Sequence, residues 1–139
     1  IVAAILAAVR MVRLRLWSVR GRPDLLCLAV GYGWIALGIG FTAASVLAGR
    51  DHVPALHMIL VGGLGTLTFN VMTMMHVLKT REHPFPVRVA VGGTLLISIA
   101  TVLRLASAVG FGDYRLMLLL ASLSWSGAFA LLLALQIRR

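Results

Sequence analysis

Polar and apolar positions do not alternate along this chain. They separate into long apolar runs, each closed by a short polar break. Runs of membrane length cover about Asp24 to Ala48, Pro54 to Leu78, Val87 to Ala108 and Tyr114 to Ile137. At 1.5 Å per residue each can cross a hydrocarbon core of ~30 Å. Proline marks the breaks: Pro23 precedes the first run, Pro54 opens the second, and Pro84 and Pro86 interrupt the chain before the third. A Gly110-Phe111-Gly112 turn separates the third run from the fourth. Connections this short force neighbouring helices to run antiparallel. The expected fold is all-α, a polytopic transmembrane helix bundle of four full spans. A shorter apolar stretch, Ile1 to Val9, reads as the end of a preceding helix in a longer protein. Residues 1–22 are then that helix end and a basic cytoplasmic loop, and residues 23–139 form one four-helix transmembrane region.

Composition strengthens the membrane reading. Of 139 residues, 60% are hydrophobic and 12% charged, about half the charge of soluble domains. The mean hydropathy is +1.00, and a globule this small has too much surface to hide so much apolar area. Lipid must solvate part of it. The net charge of +9 gathers in clusters between spans, without the basic face or stacking platform of a nucleic-acid binder. Arg10, Arg13, Arg15, Arg20 and Arg22 precede the first span. Lys79, Arg81 and Arg88 lie between the second and third, and Arg138 and Arg139 follow the fourth. All these fall on one side, which the positive-inside rule makes the cytoplasm. The single cysteine, Cys27, excludes a disulfide within the chain.

The second span carries the unusual chemistry: His57, Gly62, Gly63, Gly65, Thr66, Thr68, Asn70, Thr73 and His76. At 100° per residue His57, Thr68, Met72 and Met75 share one stripe, while Thr66, Asn70 and Thr73 line another. Polar or small groups on both faces predict a helix surrounded by protein. His57, about one turn after Pro54, is a candidate metal ligand near the outer surface; a packing imidazole bonded to a carbonyl is the alternative. His76 is a second candidate at the inner end. The two are 19 positions apart, ~28 Å along a straight helix, so they cannot ligate one ion. Met72 and its neighbours offer soft thioethers, although methionine at helical spacing is usually packing material. Arg104 sits about one turn from the outer end of the third span, at a depth close to that of His57. It either snorkels to water or lines an outward-facing site with His57 that receives an anion. The serines of the fourth span read as helix-contact residues. The four carboxylates, Asp24, Asp51, Glu82 and Asp113, all lie at span edges or in loops, which argues against a buried proton relay. The Gly62-Gly63-Leu64-Gly65 run lacks the preceding strand of a nucleotide loop.

The second span also resembles a known family. Ala55-Leu-His57, then Val61-Gly-Gly-Leu-Gly65-Thr-Leu-Thr68, then Val71-Met-Thr73 are similar to the NnrS family. Upstream, Arg22-Pro-Asp24 with Tyr32 and Trp34 extends the likeness. Downstream, Leu103-Arg-Leu-Ala106 and Leu123-Ser-Trp125-Ser-Gly-Ala-Phe129 fit the last two helices. The resemblance implies a longer bacterial membrane protein linked to nitric oxide response or protection, with haem and copper as cofactors. It places a metal-ligand His on His57 and the third-span Arg on Arg104; Thr68 and Met72, on the His57 stripe, are the further candidate cofactor-binding residues, and His76 either substitutes as a second metal ligand about one turn away or the inner site is altered or lost. Implied partners are lipid, N-terminal helices of the same protein or other membrane subunits, and nitric oxide. The chain departs from the pattern at the inner end: Met74 stands at an Arg position and Leu78-Lys79 replaces a Gly-His pair. A non-catalytic membrane subunit that scaffolds a larger redox or assembly complex is the alternative function.

Overall fold

The computed structural model describes residue 9 and residues 23–80 and 86–137. The basic clusters at 10–22, 81 and 138–139, together with His83, lie outside the described residues. Among the described residues four long helices make up the bundle: α1 (Pro23–Leu47), α2 (Val53–Thr80), α3 (Val87–Ala108) and α4 (Tyr114–Ile137). Each is long and apolar enough to cross a membrane, so the chain is a multi-pass, all-helical membrane protein, as the apolar runs predict. Helices bond their backbone polar groups internally, which hydrocarbon requires.

The two short connections share one construction. After α1, Gly49 takes φ 61°, and the Arg50 N–H returns to Ser45 O at 2.9 Å. After α3, Gly110 takes φ 78°, and the Phe111 N–H returns to Ala106 O at 3.0 Å. Glycine tolerates this left-handed turn, and the returning bonds satisfy end carbonyls. An aspartate then starts the next helix. Asp51 Oδ1 accepts from the Val53 N–H at 3.0 Å, and Asp113 Oδ1 accepts from the Arg115 N–H at 2.8 Å. Asp113 thereby caps the positive end of α4, and Asp51, one residue before the N-cap of α2, places its carboxylate at the same end of that helix.

Contacts along the helices fix the topology. Gly31 faces Leu67, Gly63 faces Ile35 and Gly38 faces Ile59, so α1 and α2 are antiparallel. Gly62 faces Thr101, Gly65 faces Ile97 and Gly93 faces Phe69, so α2 and α3 are antiparallel as well. Gly92 against Leu131 and Gly127 against Leu96 complete the alternation for α3 and α4. The helices α2 and α3 each touch all the others, whereas α1 and α4 make no contact among the described residues. Burial follows: 44% of the α2 window is buried, against 22% for α1 and 17% for α4.

The second span is not a uniform helix. Met58–Leu64 form a π-helix between α-helical Val53–His57 and Gly65–Thr80. The Gly65 N–H bonds to Leu60 O, five residues back. The π segment is where α2 lies hardest against α1. A Cβ at Gly62 would meet the Trp34 ring at 2.8 Å, and one at Gly63 would collide with Ile35. The missing side chains thus allow Trp34 and Ile35 to pack on bare backbone. Trp34 continues past α2, and its Nε1 donates to Ser98 Oγ at 3.2 Å on α3.

Deeper in the bundle, Phe69, Ile97, Ala128 and Leu132 form the apolar core. The Phe69 ring meets Phe129 edge-on at 6.1 Å between centroids, a favoured aromatic geometry. Gly93 backs that ring so closely that a Cβ there would overlap it. Replacing Gly93 with alanine is expected to destabilise the protein by about 1–3 kcal/mol, because the fully buried ring has nowhere to move. The adjacent Gly92 has only a 3.9 Å neighbour, so Gly92→Ala should be neutral or stabilise by up to about 1 kcal/mol through helix propensity. Thermal unfolding of the two variants in detergent checks the contrast.

Candidate functional site

The polar face of α2 splits into an absorbed half and an open half. Thr66, Asn70 and Thr73 are buried. Thr73 donates its hydroxyl to Phe69 O four residues back, at 2.9 Å. Asn70, only 5% exposed, donates Nδ2 to Thr66 O and to Thr94 Oγ1 on α3, both at 2.9 Å. Thr94 and Cys27 of α1 line one apolar space between the helices. A polar ladder joining α2 to α3 results, and sequence reading missed it. An asparagine in mid-span was its only signal. The ladder is incomplete: Asn70 Oδ1 and Thr66 Oγ1 are buried without a partner. Thr66 differs from Thr73 and Thr101, whose hydroxyls return to the carbonyl four residues back. The residue four back from Thr66 is Gly62, inside the π segment.

The other stripe is not the one expected. Each i→i+5 bond takes one residue more per turn, so the π segment turns His57 by roughly a quarter turn relative to Thr68. A wheel drawn at 100° per residue cannot carry His57, Thr68, Met72 and Met75 on one line through Met58–Leu64. Thr68 is half-buried, whereas Met72 and Met75 are 46% and 61% exposed. The helix is therefore enclosed on its Thr66–Asn70–Thr73 face, and the described residues leave the methionine face uncovered.

At the short-loop end, His57 closes the first α-helical turn of α2, half-buried. Its Nδ1 lies 2.9 Å from Val53 O. A carbonyl only accepts, so Nδ1 is the donor, and it is Nε2 whose lone pair a neutral ring would offer. Metal-ligating histidines are commonly oriented in this way. His57 therefore fits the role of one ligand. Among the described residues there is no group of three or more His, Cys, Asp or Glu that could hold a metal ion.

Arg104 lies at the same end. The α2–α3 register, with Gly62 against Thr101, places it near the level of Ile59, two residues beyond His57. The expected depth is correct. The cavity is not shared, however. Arg104 lines a space of about 280 Å³ with Val61, Ala100, Leu118, Ala121, Ser122, Trp125 and Ser126, and His57 is not among its walls. Val61 is one turn beyond His57 on α2.

At the opposite end, His76 lines a cavity of about 760 Å³ with Met72, Met75, Lys79 and Gln136. Met72 and His76, four residues apart, share a helix face. Met72 is thus grouped with His76 and not with His57. Thr68 joins neither cavity.

The sequence profile of the NnrS family, described as NnrS protein, matches residues 1–138. The chain belongs to the NnrS family. No curated protein and no solved structure matches it. Within this NnrS chain the most specific stretch, His57 to Thr73, coincides with the π segment and the polar ladder that follows it. The residues that resemble the family therefore also shape the helix contacts. In a double-mutant cycle, Asn70→Ala and Thr94→Val should couple by about 0.6 kcal/mol, and at most about 1.7, the range for hydrogen bonds between membrane helices. Unfolding free energies of the wild type, both single variants and the double variant measure it.

Proposed function

We propose that this NnrS protein binds a haem or copper cofactor through His57 and serves in the response to, or protection against, nitric oxide. The observation that carries the reading is the His57 imidazole, held by Val53 O at its Nδ1 so that Nε2 is the nitrogen left for a ligand, in the first turn before a π-helix. π-Bulges are frequent at functional sites. Membership of the NnrS family supports the same reading. The remaining ligands come from other helices. When bound, the metal would supply an open coordination position to which a small uncharged diatomic has access through lipid. The chain's own contribution is to hold the imidazole in one tautomer and to keep the surroundings apolar. Met72 and His76 form a second, softer donor pair at the other end, suited to copper rather than to the His57 cofactor.

A scaffold function alone is less well supported. The polar groups of α2 that would face a partner helix are mostly turned inward, where Asn70 and Thr73 find bonds within the chain.

In the full-length protein, His57→Ala should lower cofactor affinity by at least about tenfold, the lower bound for disturbing even the support of a ligand. His76→Ala should leave the main absorption band in place. Optical spectra and metal analysis of the purified variants check this; an unchanged spectrum and metal content in His57→Ala would refute the assignment.

The membrane is, on this reading, the bacterial inner membrane, with Lys79 and Arg88 at the cytoplasmic face. Both are exposed at the ends of their helices, and Arg50 and Arg115 are exposed at the other end. Cysteine introduced at Arg50 should react with an impermeant maleimide in cells with a permeable outer membrane. Cysteine at Lys79 should react only after lysis. The reverse pattern inverts the topology.

A further inference from the structure

We propose that the cavity beneath Arg104 binds a carboxylate carried on an apolar body, a site distinct from the metal position at His57. The first observation is an uncompensated charge. Arg104 is half-buried within a membrane-spanning helix, four residues before its end. Its side chain makes no ion pair or hydrogen bond among the described residues. Asp51 and Asp113, the acidic residues of that end, are engaged at helix N-termini. A cation so placed calls for a counter-charge or for water.

The second observation concerns the cavity. Arg104 lines an open groove between helices, together with residues of α2 and α4. Val61, Ala100, Leu118, Ala121 and Trp125 give apolar walls. Ser122 donates its hydroxyl to Leu119 O at 2.9 Å, which leaves the guanidinium, Ser126 and the Trp125 indole N–H as donors to an anion. A small hydrated ion would forfeit most of its water against such walls. An anion with an apolar body instead gains burial along them. The planar guanidinium fork matches a carboxylate in two parallel bonds. From Leu118 to Ser126 the lining of α4 spans about 12 Å along the helix axis. The ligand therefore extends from the level of Arg104 towards the middle of the membrane, alongside the Trp125 indole.

Two sources carry this chemistry: a carboxylate-bearing cofactor held by His57, and a free fatty acid of the membrane. Native mass spectrometry of the full-length protein, with and without cofactor, tests the site with decanoate and with decanol as the uncharged match. Wild type should hold one decanoate. Arg104→Gln should weaken it by at least about tenfold, the equivalent of one charge-assisted hydrogen bond. Arg104→Lys should retain part of the binding, and decanol should show no dependence on residue 104. Ala121→Phe fills the cavity without touching the charge and should block decanoate if Arg104→Gln fails to fold. Binding refused only by cofactor-loaded protein identifies the cofactor's own carboxylate as the natural occupant; binding to both preparations identifies the fatty acid. Equal decanoate affinity in wild type, Arg104→Gln and Ala121→Phe overturns the proposal. His57→Ala should leave decanoate binding to the cofactor-free protein intact, so the metal assignment and this site fail separately.

Discussion

The structure depends on the close approach of α2 to α1 at Gly62 and Gly63. Trp34 and Ile35 occupy the room that side chains at these two positions would take. In lipid, where burial of apolar surface does not drive helices together, such backbone contact is a main source of association. The same segment departs from α-helical geometry over Met58–Leu64. One stretch of glycine-rich sequence therefore sets both the spacing of the helices and the angular position of everything on either side of it. Trp34, wedged there, carries the contact on to Ser98 and ties the third helix to the same point.

The spans and their topology were legible in the sequence, since they follow from two strong constraints. An apolar run must be about 20 residues long to cross the hydrocarbon, and its ends need turn chemistry. Val87–Ala108 and Tyr114–Ile137 match the expected limits, and α1 and α2 differ from them by one or two residues. The aspartates of the short loops sit where a helix start requires an acceptor. Base pattern and glycine placement thus suffice for the frame.

The interior of α2 was only half legible. A helical wheel assumes one angular increment throughout, so it separates the Thr66–Asn70–Thr73 face correctly on the uniform side of the helix. It fails across the π segment, and His57 leaves the Thr68–Met72–Met75 line for that reason. Nothing in the local sequence distinguishes a glycine pair that kinks or tightens a helix from one that merely lets a neighbour approach. Knowledge of the partner was required, here the Trp34 ring. The Arg104 cavity was hidden for a related reason. Its walls come from three helices, and Ser122, Ser126 and Trp125 acquire meaning only once α4 is set beside α3. Depth along a span is readable from residue number, whereas which neighbour a side chain meets at that depth is not.

The absence of contact between α1 and α4 among the described residues has a further consequence. A four-helix bundle closed into a square has no free edge, and adding a helix means adding an outer layer. Here the helices form a ribbon with α2 and α3 as its spine and α1 and α4 as two separate edges. A groove between α2 and α4 is open on the methionine face of α2. Additional helices can join this ribbon at either edge or settle into the groove without displacing an existing contact, so the unit is built for lateral growth.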